Sequence, residues 1–270
     1  MSDTILVTGG TGTIGSAVVP LLQDSGCPIR VLSRHPCPAA DIAADGVRHV
    51  VGDTVKNIGL PDALLGVKVV LHLAGGASGD DIAAHNLVAA ARQADVQHLV
   101  LISVVGADRM PLGYFRRKAA AESTITESGI PWTCIRVAQL HSFVEPVARA
   151  LRRLPVLLAP RGLRFEPIDL NDVAQRLAEL TLGTPVGRVT DLAGPEVLDI
   201  PRLVATYAES RGRRPRPRLN LPLAGAVGRA YRAGENLAGA DADHGSITWE
   251  HYLASESSHS PKSSVHRRID

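Results

Sequence analysis

Thr4-Ile5-Leu6-Val7-Thr8-Gly9-Gly10-Thr11-Gly12-Thr13-Ile14-Gly15 is the stretch that decides how this chain is read. An apolar run too short for a helix enters a glycine cluster directly, and amphipathic residues follow at once. That order spells strand, tight turn, helix. The glycines fall as Gly9-x-x-Gly12-x-x-Gly15, with Gly10-x-Gly12-x-x-Gly15 overlapping as a second frame. Either spacing lets the backbone turn sharply, approach a pyrophosphate with no Cβ between, and aim the free N–H groups of a helix N-terminus at phosphate oxygens. Thr8, Gly9, Gly12, Thr13, Ile14 and Gly15 are therefore candidate cofactor-binding residues.

Working outward, residues 14–25 read as the first helix, with a kink or an irregular turn expected at Pro20 because proline removes an intrahelical hydrogen bond. Short, nearly continuous apolar runs at 28–33, 47–51, 67–73, 97–102 and 131–137 read as strands buried on both faces, as in a parallel sheet. Helical patterns at 80–94 and 113–128 alternate with them. The expected architecture is α/β, a Rossmann-type doubly wound parallel sheet over residues 1–140. Ligands of such sheets bind beyond the carboxyl ends of the strands, where Gly9, Arg34, Asp53, Gly75 and Ser103 all stand.

Beyond residue 140 the alternation weakens. Helices are expected at 143–154, 171–182 (capped by Asp169 or Asn171), 200–210 and 223–237, and one more strand at 188–192. Residues 141–253 should form a smaller substrate lobe partly interwoven with the core, and 254–270, rich in Ser, His and Arg, a disordered tail. Residues 211–218 (RGRRPRPR) carry five arginines and no aromatic neighbour, as a solvated loop or an anion site.

Composition narrows the function. Only 3% of residues are aromatic and the net charge is +2, so neither a base-stacking surface nor an electrostatic footprint for nucleic acid or anionic membrane is present. Cys27, Cys37 and Cys134 are an odd number in a chain that opens Met-Ser-Asp, with no basic and apolar leader and no apolar run of membrane-spanning length. The expectation is a cytoplasmic protein with reduced thiols. No His-x-x-x-His or Cys-x-x-Cys spacing calls for a metal.

Two constellations carry chemistry. At the end of the second strand, where an NAD-specific protein places a carboxylate for the ribose hydroxyls, this chain has Ser33-Arg34. A guanidinium there suits a 2′-phosphate, which favours NADP(H) over NAD(H). Asp53 ends the third strand, as an acceptor for the adenine amino group or as a turn residue, and Ala74-Gly75-Gly76 end the fourth. The second set is Ser103, Tyr114 and Lys118. Tyr114 and Lys118, four apart on one helix, share a face. A carbonyl reduction needs a proton donor where the alkoxide forms, and an adjacent ammonium together with a positive nicotinamide would bring a phenol of pKa near 10 closer to neutrality. Lys118 can also hold the nicotinamide ribose, and Ser103 would hydrogen-bond the substrate oxygen.

With these residues in view the chain resembles the short-chain dehydrogenase/reductases, and within them the atypical NmrA-like, NAD(P)H-binding branch. The likeness rests on the glycine stretch, Leu32-Ser33-Arg34, Gly52-Asp53, Leu101-Ile102-Ser103-Val104-Val105-Gly106, Tyr114 to Lys118, Ile135 to His141, and Asp191 to Glu196. It implies an NADPH-dependent oxidoreductase that reduces a carbonyl, quinone or related electrophile, with Tyr114 as acid, Lys118 as its partner and Ser103 as polariser. Gln139 and His141 would line the substrate pocket, and Asn86 would hold a proton-relay water. Ala138-Gln139 departs from the Pro-Gly usual beside the nicotinamide in the best-known branch. Two other readings stay open: a non-catalytic NADP(H)-sensing regulator with a protein partner, and a nucleotide-sugar epimerase or dehydratase. A homodimer is compatible with each.

Overall fold

Side chains of β1 (Thr4–Thr8) leave the strand alternately toward two separate cores, and that alternation generates the layered architecture. The computed structural model describes residues 3–36, 46–76, 78–214 and 216–259. Cys37 and the tail beyond residue 259 lie outside these. In chain order β1 is followed by α1 (Thr13–Gln23), β2 (Ile29–Ser33), β3 (Val47–Val51), α2 (Leu60–Leu64), β4 (Val67–His72), α3 (Asp80–Gln93), β5 (His98–Val104), α4 (Gly113–Thr126) and β6 (Trp132–Val137). Then come α5 (His141–Arg152), β7 (Leu157–Pro160), β8 (Arg164–Phe165), α6 (Leu170–Leu182), β9 (Gly187–Arg188), β10 (Leu192–Ala193), β11 (Leu198–Asp199), α7 (Ile200–Glu209), β12 (Arg218–Leu221), α8 (Gly225–Ala233), β13 (Asp243–His244) and α9 (Trp249–His259).

The central sheet runs β3-β2-β1-β4-β5-β6-β10-β13, parallel throughout, with β9 also pairing β6. This is the doubly wound order, reversing direction between β1 and β4. On one face Ile5 and Val7 of β1 and Val100 and Ile102 of β5 pack with Val18 and Leu22 of α1 and Val173 and Leu177 of α6. On the other, Leu6, Leu99 and Leu101 pack with Leu60 of α2, Leu87 of α3 and Ile125 of α4. The Rossmann-type sheet read from the sequence is thus the observed fold, and helix α6, from the second half of the chain, is built into its core. A third cluster joins α5, β7, α7 and α9 through Val144, Leu157, Leu203, Tyr207, Trp249 and Leu253.

Several details differ from expectation. Helix α1 is continuous from Thr13 to Gln23 with Pro20 on its exposed side, so no irregular turn interrupts it there. The single strand expected at 188–192 is two short ones, β9 and β10, because an Arg188–Asp191 ion pair at 2.9 Å and a Thr190–Asp243 hydrogen bond at 2.6 Å curl the segment between them. Asp169, not Asn171, caps α6, accepting from the Asn171 N–H at 2.8 Å. The arginine-rich stretch is not wholly loop, since Arg218 opens β12 against β7. Arg216 donates to the Leu154 carbonyl at 2.6 Å, and Arg211 lies over the Tyr207 ring. Residues 254–259, expected within the tail, are helical: α9 continues to His259, anchored by buried Trp249, whose indole N–H donates to the Leu203 carbonyl, and by Leu253. Cys27 and Cys134 are free thiols, and burial first, then the Glu122 carboxylate, pushes Cys134 up to about 12. Among the described residues no helix is long and apolar enough to cross a membrane.

Candidate functional site

Two cavities open side by side at the carboxyl ends of the strands. One, of about 690 Å³, lies over β2 and β3; the other, of about 600 Å³, lies over β5 and β6, and they meet at Gly9, Gly12, Leu73, Gly75 and Gly76. Their junction is the switch point of the sheet, where a dinucleotide straddles a doubly wound fold.

The glycine turn makes the junction passable. Gly9 has φ of 73°, and a Cβ there would sit 2.8 Å from the Ala74 nitrogen. Gly15 lets the first turn of α1 close on the loop, because a Cβ there would collide with the Gly9 carbonyl oxygen. Gly12 caps α1 without a side-chain hydrogen bond, which leaves the N–H groups of the first turn for an anion. Thr13 and Ile14 line the same crevice. The Thr8 hydroxyl is occupied otherwise: it accepts from the Ala74 N–H at 3.3 Å and shares a hydrogen bond with His72 Nδ1 at 2.7 Å. Burial holds the His72 imidazole down at about 4, with the Lys118 ammonium adding to the effect, so that it braces the β1 and β4 termini as a neutral ring.

In the larger cavity stand Ser33, Arg34 and Asp53. The Ser33 hydroxyl accepts from the His35 N–H at 3.2 Å and Arg34 is exposed. Asp53 proves to be a turn residue: its Oδ1 accepts from the Val55 and Lys56 N–H groups at 2.9 and 3.1 Å. That turn delivers Lys56 into the same cavity as Arg34, a second cation that the strand-end reading missed because it lies in the loop beyond β3. Asn86 donates to the Thr54 and Val55 carbonyls at 2.8 and 3.1 Å. It lines neither cavity and fastens this turn through its amide N–H groups.

The smaller cavity brings Ser103, Tyr114, Lys118 and Gln139 together. Ser103, on β5, is 5% exposed and its Oγ has no hydrogen-bond partner. A buried hydroxyl facing a cavity unpaired suits a ligand oxygen. Gln139 Oε1 is likewise buried and unpaired. Tyr114 is 37% exposed and packs edge-on against Phe115, ring centroids 5.4 Å apart. Burial, and then the Asp80 carboxylate, raise the phenol above the ordinary tyrosine value, and Lys118 is ion-paired with Asp80 at 3.1 Å. Asp80 escaped the sequence reading, since a first-turn acid on α3 looks like a helix-dipole residue.

His141 is not in the site. It is 1% exposed at the start of α5, stacked with the rings of Tyr252 and Trp249 at centroid distances of 5.0 and 5.7 Å, and burial lowers it to about 4. The backbone beyond Gln139 bridges to Ile168 through Leu140, which stays in the first core and lines the cavity, and turns His141 onto Trp249 and Tyr252 of the third core. Helix α4, which carries Tyr114 and Lys118, is held by buried Arg136 of β6, which donates twice to Glu122 at 2.8 and 2.6 Å and once to Asp108 at 2.6 Å.

Residues 9–181 match the NAD(P)H-binding family. The chain belongs to that family. The match agrees with the atypical, NmrA-like branch that its motifs resemble, and its span takes in the glycine turn, Arg34, Ser103, Tyr114 and Lys118. Among curated relatives, the NAD(P)H azoreductase of Xenophilus azovorans is 31% identical over 212 residues, covering 77% of this chain and 74% of that one. The (4-alkanoyl-5-oxo-2,5-dihydrofuran-3-yl)methyl phosphate reductase of Streptomyces griseus is 32% identical over 213 residues, with 77% and 74% covered. Among solved structures, the fold is shared with an Escherichia coli NADPH-dependent quinone oxidoreductase complexed with NADPH, at a TM-score of 0.79 and 22% identity over 93% of this chain and 99% of that chain.

Proposed function

We propose that this protein is an NADPH-dependent oxidoreductase that reduces a flat, conjugated acceptor: a quinone, or a related carbonyl or azo compound. In this reading residues 1–140 bind the dinucleotide and 141–253 close the acceptor side. The observation that carries it is where the scarce aromatic residues go. All three phenylalanines of the chain and two of its four tyrosines line the 600 Å³ cavity: Phe115, Phe143, Phe165, Tyr114 and Tyr231. Rings placed around one cavity favour a planar π-system by offset or edge contacts. Apart from Lys118, which is ion-paired, that cavity offers no cation for a second diphosphate, which argues against a nucleotide-sugar substrate.

Bound NADPH supplies a hydride. The residues of the chain do the rest: the amide groups of the α1 N-terminus and Gly9 and Gly12 receive the pyrophosphate, and Ser103 Oγ and Tyr114 Oη converge on the acceptor oxygen or nitrogen. Tyr114 gives its proton there as charge develops. The aromatic wall packs against the flat faces and edges of the acceptor. Steady-state NADPH oxidation with a panel of benzoquinones, naphthoquinones and azo dyes is expected to give turnover, and UDP-sugars none. Turnover of the sugars without the flat acceptors would overturn the assignment, and tight NADPH binding with no turnover of any acceptor would favour the regulatory reading.

The preference for NADPH is supported by Arg34 and Lys56 in the adenosine cavity. A charge-assisted contact to phosphate is worth about 1.5–3 kcal/mol. Arg34→Ala combined with Lys56→Ala should therefore weaken NADPH binding by about 10- to 100-fold or more while leaving NADH binding nearly unchanged. Fluorescence titration with both cofactors measures the ratio; an equal loss for both would remove the 2′-phosphate from this account.

A further inference from the structure

We propose that the far end of α5 carries a second ligand site, built for a small amphipathic anion: an apolar body about the size of one ring or a short alkyl chain, ending in a carboxylate or a phosphate. The site lies apart from the reduction cavity and does not depend on the reductase reading.

The site is a cavity of about 160 Å³ between α5, α7 and the β7–β12 pair. Its wall is set by helical spacing. Pro201, Val204, Ala205 and Ala208 fall at i, i+3, i+4 and i+7 of α7 and form one stripe, and the two alanines leave space that longer side chains would fill. Leu151 at the end of α5, Leu154 in the turn after it and Leu157 of β7 close the opposite side. A dry apolar cavity of about 150 Å³ takes up benzene. This hollow therefore holds one ring or a short chain.

The rim has the opposite character. Arg152, Arg214, Arg216 and Arg218 line it, and no carboxylate among the described residues does. Arg152 is the last residue of α5, and its Nε is buried with no hydrogen-bond partner among the described residues. A buried donor left unpaired suits an acceptor brought by a ligand. The other three belong to the arginine-rich stretch, which is strapped along the rim. Arg216 donates to the Leu154 carbonyl at 2.6 Å, the Leu157 N–H donates to the Pro217 carbonyl at 2.9 Å, and β12 pairs with β7 from Arg218 onward. Arg214 and Arg218 stand exposed beside the opening. Guanidinium groups grip carboxylate and phosphate through paired N–H bonds.

Neither half of the site is satisfied alone: a bare anion leaves the hollow empty, and a neutral hydrocarbon leaves Arg152 Nε without an acceptor. Residues 260–270, with Lys262, Arg267 and Arg268 against Asp270, have the wrong sign to occupy an arginine-lined opening. Phe143, near the start of α5, lines the reduction cavity, so at about 1.5 Å per residue the two sites lie about 14 Å apart along that helix.

The test is calorimetric titration of the full chain, saturated with NADPH so that its phosphate-binding turn is occupied. Hexanoate and phenyl phosphate are the probes; 1-hexanol and inorganic phosphate present the body and the head alone. One molecule per chain of hexanoate or phenyl phosphate is expected to bind, about tenfold or more tighter than either control, and the tighter of the two identifies the head group. Ala205→Leu fills the hollow and Arg152→Met removes the unpaired donor while keeping an apolar stem. Each should weaken the probe by about tenfold or more, with NADPH affinity unchanged. Arg214→Gln/Arg218→Gln alters exposed side chains alone and should weaken it in the same sense, so the question survives a failure of either other variant to fold. Absence of binding by both probes, equal binding of a control, or affinity undiminished in the variants overturns the proposal. Binding to phosphatidylglycerol vesicles without binding of the soluble probes overturns it in favour of a membrane contact. Because none of these titrations needs turnover, failure of the reductase reading leaves the result standing.

Discussion

Replacing Arg136 with methionine is expected to lower the free energy of unfolding by about 3–5 kcal/mol, the cost of removing one partner from a buried ion pair. Arg136 sits on a central strand with a bidentate contact to Glu122 of α4 and a third bond to Asp108 in the loop that leads into that helix. Removing the guanidinium strands the largely buried Glu122 carboxylate among apolar neighbours. Urea unfolding measures the loss as a shift in midpoint at constant slope. Arg136→Met with Glu122→Leu should recover most of it, since an apolar pair of similar volume replaces a buried ion pair at little net cost. If the single variant is as stable as wild type, this network does not anchor α4, and the placement of Tyr114 and Lys118 must come from the packing of α4 on α3 alone.

Tyr114→Phe should reduce kcat for quinone reduction by about 10²- to 10⁴-fold, the usual contribution of a positioned general acid, with NADPH affinity unchanged. The substitution is well suited to the question because phenylalanine retains the edge-on contact with Phe115 and deletes only the hydroxyl. A loss confined to KM would make Tyr114 a binding residue. An unaltered kcat would mean that the acceptor takes its proton from solvent.

The fold could be read from the chain because its strands are nearly continuous apolar runs and its first turn is glycine at the positions where Cβ atoms would collide. Ile5, Leu6 and Val7 alternate between two cores, and that requires helices on both faces. The very short strands β8, β11 and β13 could not be read, and β9 and β10 only as one strand at 188–192, since pairs of residues bridged to distant segments carry no periodicity. Glycine turn, Arg34, Ser103, Tyr114, Lys118 and Gln139 all reach the crevice because each follows a strand end or shares a helix face. His141 failed because a position two residues past Gln139 falls after the chain has turned into α5. Lys56 and Asp80 were missed for the converse reason: their roles are set by a turn and by a contact between α3 and α4, neither of which leaves a spacing signature.

The central claim is that this crevice binds NADPH and passes its hydride to a flat acceptor, and a single-turnover experiment tests it most directly. Protein loaded with one equivalent of NADPH is mixed with excess naphthoquinone, and NADPH fluorescence is followed beside a protein-free control. The account predicts loss of the bound NADPH signal far faster than in the control, with one hydroquinone formed per NADPH consumed. Bound NADPH that stays reduced while quinone saturates the protein would contradict it.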